Sequence, residues 1–167
     1  VAALQRVNNR LLHHSKPVVA AVKGMALGGG CEVAMHCNAR QTLLESYVGL
    51  VEVGVGVVPA GGGLKELMAR HLRGFPEGQQ KLDVSAIVQN LFMTVGTAKV
   101  ATSCFEAQSF GFLSDRDGVS MNPDLLLADA KRRARAMADA GHVAVPYRND
   151  IPVAGAGTMA GIEMFVF

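Results

Sequence analysis

Residues 16–35 read KPVVAAVKGMALGGGCEVAM, and the fold turns on how that stretch is parsed. Pro17 excludes the helical region from the residue before it, so the preceding chain must break there. VVAAV (residues 18–22) is a short continuous apolar run, the pattern of a strand buried on both faces. Gly24 ends it, and three consecutive glycines, Gly28, Gly29 and Gly30, stand directly before CEVAMHC, which can begin a helix at once. Glycines so placed let a backbone turn sharply or approach a second group closely. The unit is strand, turn (residues 24–30) and helix, with a carboxylate, Glu32, two residues past the turn.

Outward from this unit, residues 1–14 suit a helix, with Val1, Leu4, Val7, Leu11 and Leu12 near a 3.6-residue period. RQTLL (40–44) is a second strand, 49–58 an apolar, glycine-punctuated connection, and 59–63 the opening of a helix running to about His71. Gly74 and Pro76 punctuate a polar break. Beyond it come helical patterns around 78–95 and 102–111, a short strand in DGVSM, and a strong helix opened by Pro123. The expected organisation is a core segment over 1–74, a helical part of the same domain over 75–140, and an irregular tail over 141–167. Strands alternating with helices define an α/β class.

Composition narrows the function. The chain has 167 residues, half of them hydrophobic and 18% charged, which excludes global disorder and fits one domain with a sizeable core. A net charge of +2 gives no footprint for a nucleic-acid partner. The cluster Lys131, Arg132, Arg133 and Arg135 reads as a solvated helix face. Three cysteines, Cys31, Cys37 and Cys104, lack zinc-type spacing and read as small buried residues of a reducing, cytoplasmic compartment. The five histidines form no HxxxH or HExxH pattern, so no metal site is expected. No apolar run is long enough for a membrane span.

The glycines fail two familiar tests. GVGVVP (54–59) and GGGLKE (61–66) both miss the G-x-G-x-x-G dinucleotide pattern, and no glycine is followed by the Lys-Ser or Lys-Thr of a phosphate loop. A third use survives. Backbone N–H groups at a helix start carry partial positive charge, and glycines let a carbonyl oxygen reach them. A second carboxylate, Glu52, lies among Leu50, Val51, Val53 and Val55. Glu32 sits in a first helical turn, where negative charge is favoured; Glu52, in apolar surroundings, is pushed toward protonation. Carboxylates driven apart in this way divide acid and base work. A helix-capping Glu32 with a loop salt bridge for Glu52 is the structural alternative at this level.

Residues 16–35, VEVGVGVVPAGGG (51–63) and KVATSCFEAQSFGFL (99–113) together resemble the crotonase, or enoyl-CoA hydratase/isomerase, superfamily over roughly 16–140. LESYVGLVEVGVGVVPAGGGLKE (44–66) further resembles the hydratase-like half of a bacterial fusion with 3-hydroxyacyl-CoA dehydrogenase. The resemblance implies a ClpP/crotonase-type α/β fold with C-terminal helices, and hydration of a trans-2-enoyl-CoA in fatty-acid β-oxidation. It makes Gly29 the oxyanion-hole donor, Glu32 the carboxylate that activates water, and Glu52 the one that exchanges a proton with the α-carbon. Met25, Leu27, Gly28 and Ala60 become acyl-CoA pocket candidates.

No cofactor is implied beyond the coenzyme A thioester substrate, with NAD needed only by a dehydrogenase domain outside this chain. Asn38 and Ala60 depart from the aspartate and glycine usual in the family. The family also draws a second oxyanion donor from a loop upstream of the Lys-Pro strand, and only 15 residues precede Lys16. The expectation is therefore an N-terminally truncated domain, inactive alone, that regains activity with its missing N-terminal part, and that forms a homo-oligomer. The competing expectation is an interaction module with no catalysis of its own.

Overall fold

The Lys-Pro break works as expected: helix α1 (Ala2–Leu12) ends before it and strand β1 (Val19–Val22) follows. The computed structural model describes residues 1–73, 84–149 and 151–166. A second strand, β2 (Met25–Leu27), occupies the middle of the segment expected to be all turn, and helix α2 (Gly29–His36) starts inside the glycine triplet. Strands β3 (Ala39–Leu43) and β4 (Tyr47–Gly49), a 3-10 turn over Glu52–Val55, and helix α3 (Gly63–His71) complete the core segment. Helices α4 (Ser85–Gly96) and α5 (Cys104–Ser109), strand β5 (Gly118–Ser120) and helix α6 (Leu126–Asp139) follow. The start of the helical pattern expected from residue 78 lies outside the described residues.

Among the described residues the strands form two small parallel sheets. One has the order β1-β3-β5, with Val19 opposite Ala39 and Leu43 opposite Ser120; the other pairs β2 with β4, placing Leu27 opposite Gly49. The larger apolar cluster among the described residues includes Cys31, Met35, Leu50, Leu67, Ala101, Cys104 and Phe112, and a smaller one holds Met68, Leu72 and Val84. The cysteines are free and buried, as small core residues. Burial pushes the Cys31 thiol up to about 12, so it is a packing residue and not a nucleophile.

Polar groups tie the layers together. Arg40 and Asp117 form a buried ion pair at 2.6 Å, and Asp117 also accepts from the Arg40 and Ser114 backbone N–H groups. Burial alone would raise the Asp117 carboxyl, but the Arg40 charge and these hydrogen bonds outweigh it and hold it below its ordinary value. Arg70 donates to the Met35 and Phe112 carbonyls at 2.6 and 2.7 Å, joining α3 to the C-terminal end of α2; burial brings its guanidinium down to about 9. Asn38, one of the two departures, accepts from the Val18 N–H and donates its amide to the Leu12 carbonyl. An aspartate could make the first bond but, ionised, not the second.

Three expectations need correction. The α1 stripe is shifted: Val1 and Val7 are exposed while Asn8 is fully buried, because this helix docks through an amide contact described below. Pro123 precedes the last expected helix by a turn of its own, α6 beginning at Leu126. The tail is irregular over 142–149 and 151–155, but Ala156–Val166 form helix α7, which packs against α4. Ser85 of α4 and the buried Thr158 of α7 share a hydroxyl hydrogen bond of 2.6 Å. Lys131, Arg132 and Arg135 of α6 face solvent. No helix among the described residues is long and apolar enough to cross a membrane.

Candidate active site

The β2–β4 pairing builds the site. Its last registered pair, Leu27 and Gly49, ends both strands at one level, and the Gly28 N–H donates to the Gly49 carbonyl at 2.9 Å. The chain leaving β2 turns at once into α2, and the chain leaving β4 reaches the Glu52 turn three residues later. Gly28 makes the first turn with φ +53°, a left-handed conformation that side chains rarely adopt. A methyl group there would also meet the Glu52 carboxyl carbon and one oxygen at 3.5 Å. Glu52 therefore lies on the same side as the glycine turn, beside the residue that precedes Gly29.

Gly29 is the first helical residue, and the first α2 hydrogen bond runs from the Glu32 N–H to the Gly28 carbonyl. The Gly29 N–H lies ahead of that bond, among those a helix start leaves without an intrahelical partner. Glu32, one turn into α2, is almost wholly buried. Its carboxylate accepts from the Gly61 N–H at 2.8 and 3.0 Å and from the Gly63 N–H at 2.9 Å. Gly61 lies just before α3 and Gly63 is its first residue, and both were read in the sequence only as a helix opening. They are the partners that hold Glu32, and neither composition nor period distinguishes a glycine that donates to a carboxylate from one that merely turns.

Glu52 has the opposite environment. Its Oε2 is buried with no hydrogen-bond partner among the described residues. Burial, and after it the negative charge of Glu32, push its carboxyl above the ordinary value against the backbone N–H groups that lower it. The Glu52 environment expected from sequence is thus found, driving that carboxyl toward its proton-bearing form, while the N–H cradle of Glu32 was not expected. Neither the capping role for Glu32 nor a salt bridge for Glu52 occurs, since Glu32 bonds across to the 61–63 loop and no ion pair involves Glu52 among the described residues.

Of the pocket candidates, Gly28 lines the site, Leu27 is half-buried beside it, and Met25 stands at the outer end of β2, 75% exposed. Ala60 is exposed, and its carbonyl accepts from the Gln5 side chain at 2.7 Å. Exposed Val53, Val55, Val57 and Val58 continue an apolar surface along the Glu52 segment.

This architecture, two short parallel sheets with a glycine-started helix that carries Glu32 and starts beside Glu52, is the fold of the enoyl-CoA hydratases. The structure superposes on that of an enoyl-CoA hydratase from Bacillus anthracis with TM-score 0.63 at 23% identity, over 82% of this chain and 45% of that one. Residues 2–73 match the family model of enoyl-CoA hydratase/isomerase. The chain is 40% identical over 141 residues to a probable 3-hydroxyacyl-CoA dehydrogenase of Bacillus subtilis, covering 84% of this chain and 17% of that protein. It is 48% identical over 62 residues to a short-chain-enoyl-CoA hydratase of Clostridium acetobutylicum, covering 37% of this chain and 24% of that protein. The family model over residues 2–73, the relatives and the solved structures agree in what the chain resembles, the crotonase superfamily of enoyl-CoA hydratases and isomerases. It spans less than half the length of each of these three proteins.

Proposed function

We propose that these residues form the water-adding centre of an enoyl-CoA hydratase acting on a trans-2-enoyl-CoA in fatty-acid β-oxidation. The observation that carries the reading is the pairing of a cradled Glu32 with a Glu52 whose buried oxygen is unpartnered, both beside the open N–H groups of α2. A thioester carbonyl oxygen at the Gly29 N–H draws electron density from the β-carbon. Glu32 takes a proton from water as the water oxygen bonds to that carbon. Glu52 gives its proton to the α-carbon, completing the 3-hydroxyacyl-CoA, and the proton on Glu32 returns to Glu52 through solvent. The raised Glu52 carboxyl suits it to be the donor, and the apolar groups Met25, Leu27 and Val53 suit the acyl side of the substrate.

The chemistry calls for no resident cofactor; coenzyme A enters as part of the substrate, and NAD would serve only a dehydrogenase domain. Exposed Val55, Val57 and Val58 favour self-association of the chain, and three free cysteines favour a reducing, cytoplasmic location. The test is hydration of crotonyl-CoA by the full-length protein in deuterium oxide. The reading expects loss of the conjugated enoyl absorbance with one deuterium placed at the α-carbon. Failure of the folded, acyl-CoA-binding protein to consume the enoyl thioester would overturn it.

A further inference from the structure

The Glu32 cradle does not stand by itself. Gly61 and Gly63 lie where the chain enters α3, a segment that α1 covers, and two amides of α1 reach it in sequence. The Gln5 Nε2 donates to the Ala60 carbonyl at 2.7 Å, and the fully buried Asn8 Nδ2 donates to the Gly61 carbonyl at 2.9 Å. Leu4 of the same helix touches the same place: a methyl group on Gly61 would lie 2.8 Å from Leu4 Cδ2. Leu4 is also 3.8 Å from where a methyl group on Gly29 would stand.

The geometry of the peptide unit gives these contacts a direction. The Ala60 carbonyl and the Gly61 N–H belong to one planar trans peptide and point opposite ways. Gln5 holds the oxygen end of that plane, so the nitrogen end is aimed at Glu32, which it meets at 2.8 and 3.0 Å. Donation to the carbonyl also polarises the peptide and strengthens the N–H as a donor. Asn8 fixes the next plane through the Gly61 carbonyl, and so the course of the chain toward Gly63, the second Glu32 donor. On the far side the His36 ring packs against Gly62, its Nε2 2.9 Å from where a methyl group would stand, and its Nδ1 meets the Glu32 carbonyl at 2.7 Å. The segment is clasped between α1 and α2.

We infer that Gln5 and Asn8 are positioning residues for the proposed water-activating carboxylate: Gln5 holds the peptide plane that carries the Gly61 N–H, and Asn8 holds the next plane, which leads directly into the one that carries the Gly63 N–H. This rests on the hydratase reading above, and it extends the site to a helix that touches no reacting atom. It also accounts for the burial of Asn8, whose own Oδ1 has no partner among the described residues and whose placement in a core contact serves no packing end that a leucine would not serve better.

The test compares Gln5→Met and Asn8→Ala in the full-length protein, each alone and combined with Glu32→Gln, by kcat and KM for crotonyl-CoA and by thermal unfolding. A misplacement of about 1 Å costs up to about 100-fold in rate. Gln5→Met is therefore expected to lower kcat about 3- to 10-fold and Asn8→Ala about 10- to 100-fold, with KM within about twofold. In the Glu32→Gln background neither should lower the residual rate further, because their effect passes through that carboxylate. Unchanged kcat in both single variants overturns the inference, and so does an equal fold-loss in the Glu32→Gln background, the mark of a merely structural role. If Asn8→Ala does not fold, the exposed Gln5→Met decides the matter alone. Near-normal turnover by Glu32→Gln itself overturns the hydratase reading, and this one with it.

Discussion

Replacing Gly61 by alanine adds one methyl group and should cost most of the activity. The new carbon would stand 2.2 Å from the Glu32 Oε2, 2.8 Å from its carboxyl carbon and 2.8 Å from Leu4 Cδ2. The carboxylate is the movable partner, and to restore an ordinary 3.4 Å contact its oxygen must retreat by about 1.2 Å. That displacement breaks the pair of contacts from the Gly61 N–H. A shift of this size costs about 100-fold in rate, and overpacking a filled site costs about 1–3 kcal/mol of stability. Gly30→Ala is the control: it lies in the same helix start, nothing stands within 4 Å of the added methyl group, and its backbone is not left-handed. It should leave stability unchanged or raise it by about 0.4–1 kcal/mol. Crotonyl-CoA hydration, with thermal unfolding on the same samples, separates the two. A Gly61→Ala protein that keeps kcat within twofold would refute the claim that the loop fixes Glu32.

Two further outcomes follow from the electrostatics. Asp117→Ala leaves the Arg40 guanidinium buried without its counter-charge and should cost about 3–5 kcal/mol in denaturant unfolding. Because the native Asp117 carboxyl is held below its ordinary value of 3.8, its contribution is complete above that value and is lost as pH falls through the lowered one; the variant should lack that part of the acid-induced loss. Glu52 has the reverse sign. Its raised carboxyl means that the native state binds more protons, so stability falls as pH rises past the ordinary value of 4.5. Glu52→Gln should therefore gain stability over the wild type at neutral pH and lose that advantage below the ordinary value, as thermal unfolding across pH will show.

The sequence was most informative where local chemistry is strong. Pro17, the apolar 18–22 run and the glycine triplet place β1 and the start of α2 without tertiary information. Both carboxylates were legible because an acidic residue is rare in such apolar surroundings. β2 was hidden because three residues between glycines form a strand only through β4, whose paired residues lie 22 positions further along, Met25 opposite Tyr47. α7 was hidden because AGTMAGIEMFV is mostly apolar with no one-sided helical stripe, and its glycines argue against a helix until α4 packs on it. The Glu32 cradle was missed for a similar reason: Asn8, Gly61 and Glu32 are brought together only by the docking of α1.

The most direct test of the central claim is the rate of crotonyl-CoA hydration by Glu32→Gln, Glu52→Gln and the double variant, each with its affinity for a saturated acyl-CoA. If the two carboxylates handle one water beside the Gly29 N–H, each single variant should lose about 100-fold or more in kcat, on the scale of general acid–base catalysis. Acyl-CoA affinity should be unaltered, and the double variant should be little worse than the poorer single one. Near-normal turnover in either single variant, or losses that multiply in the double one, would contradict the account.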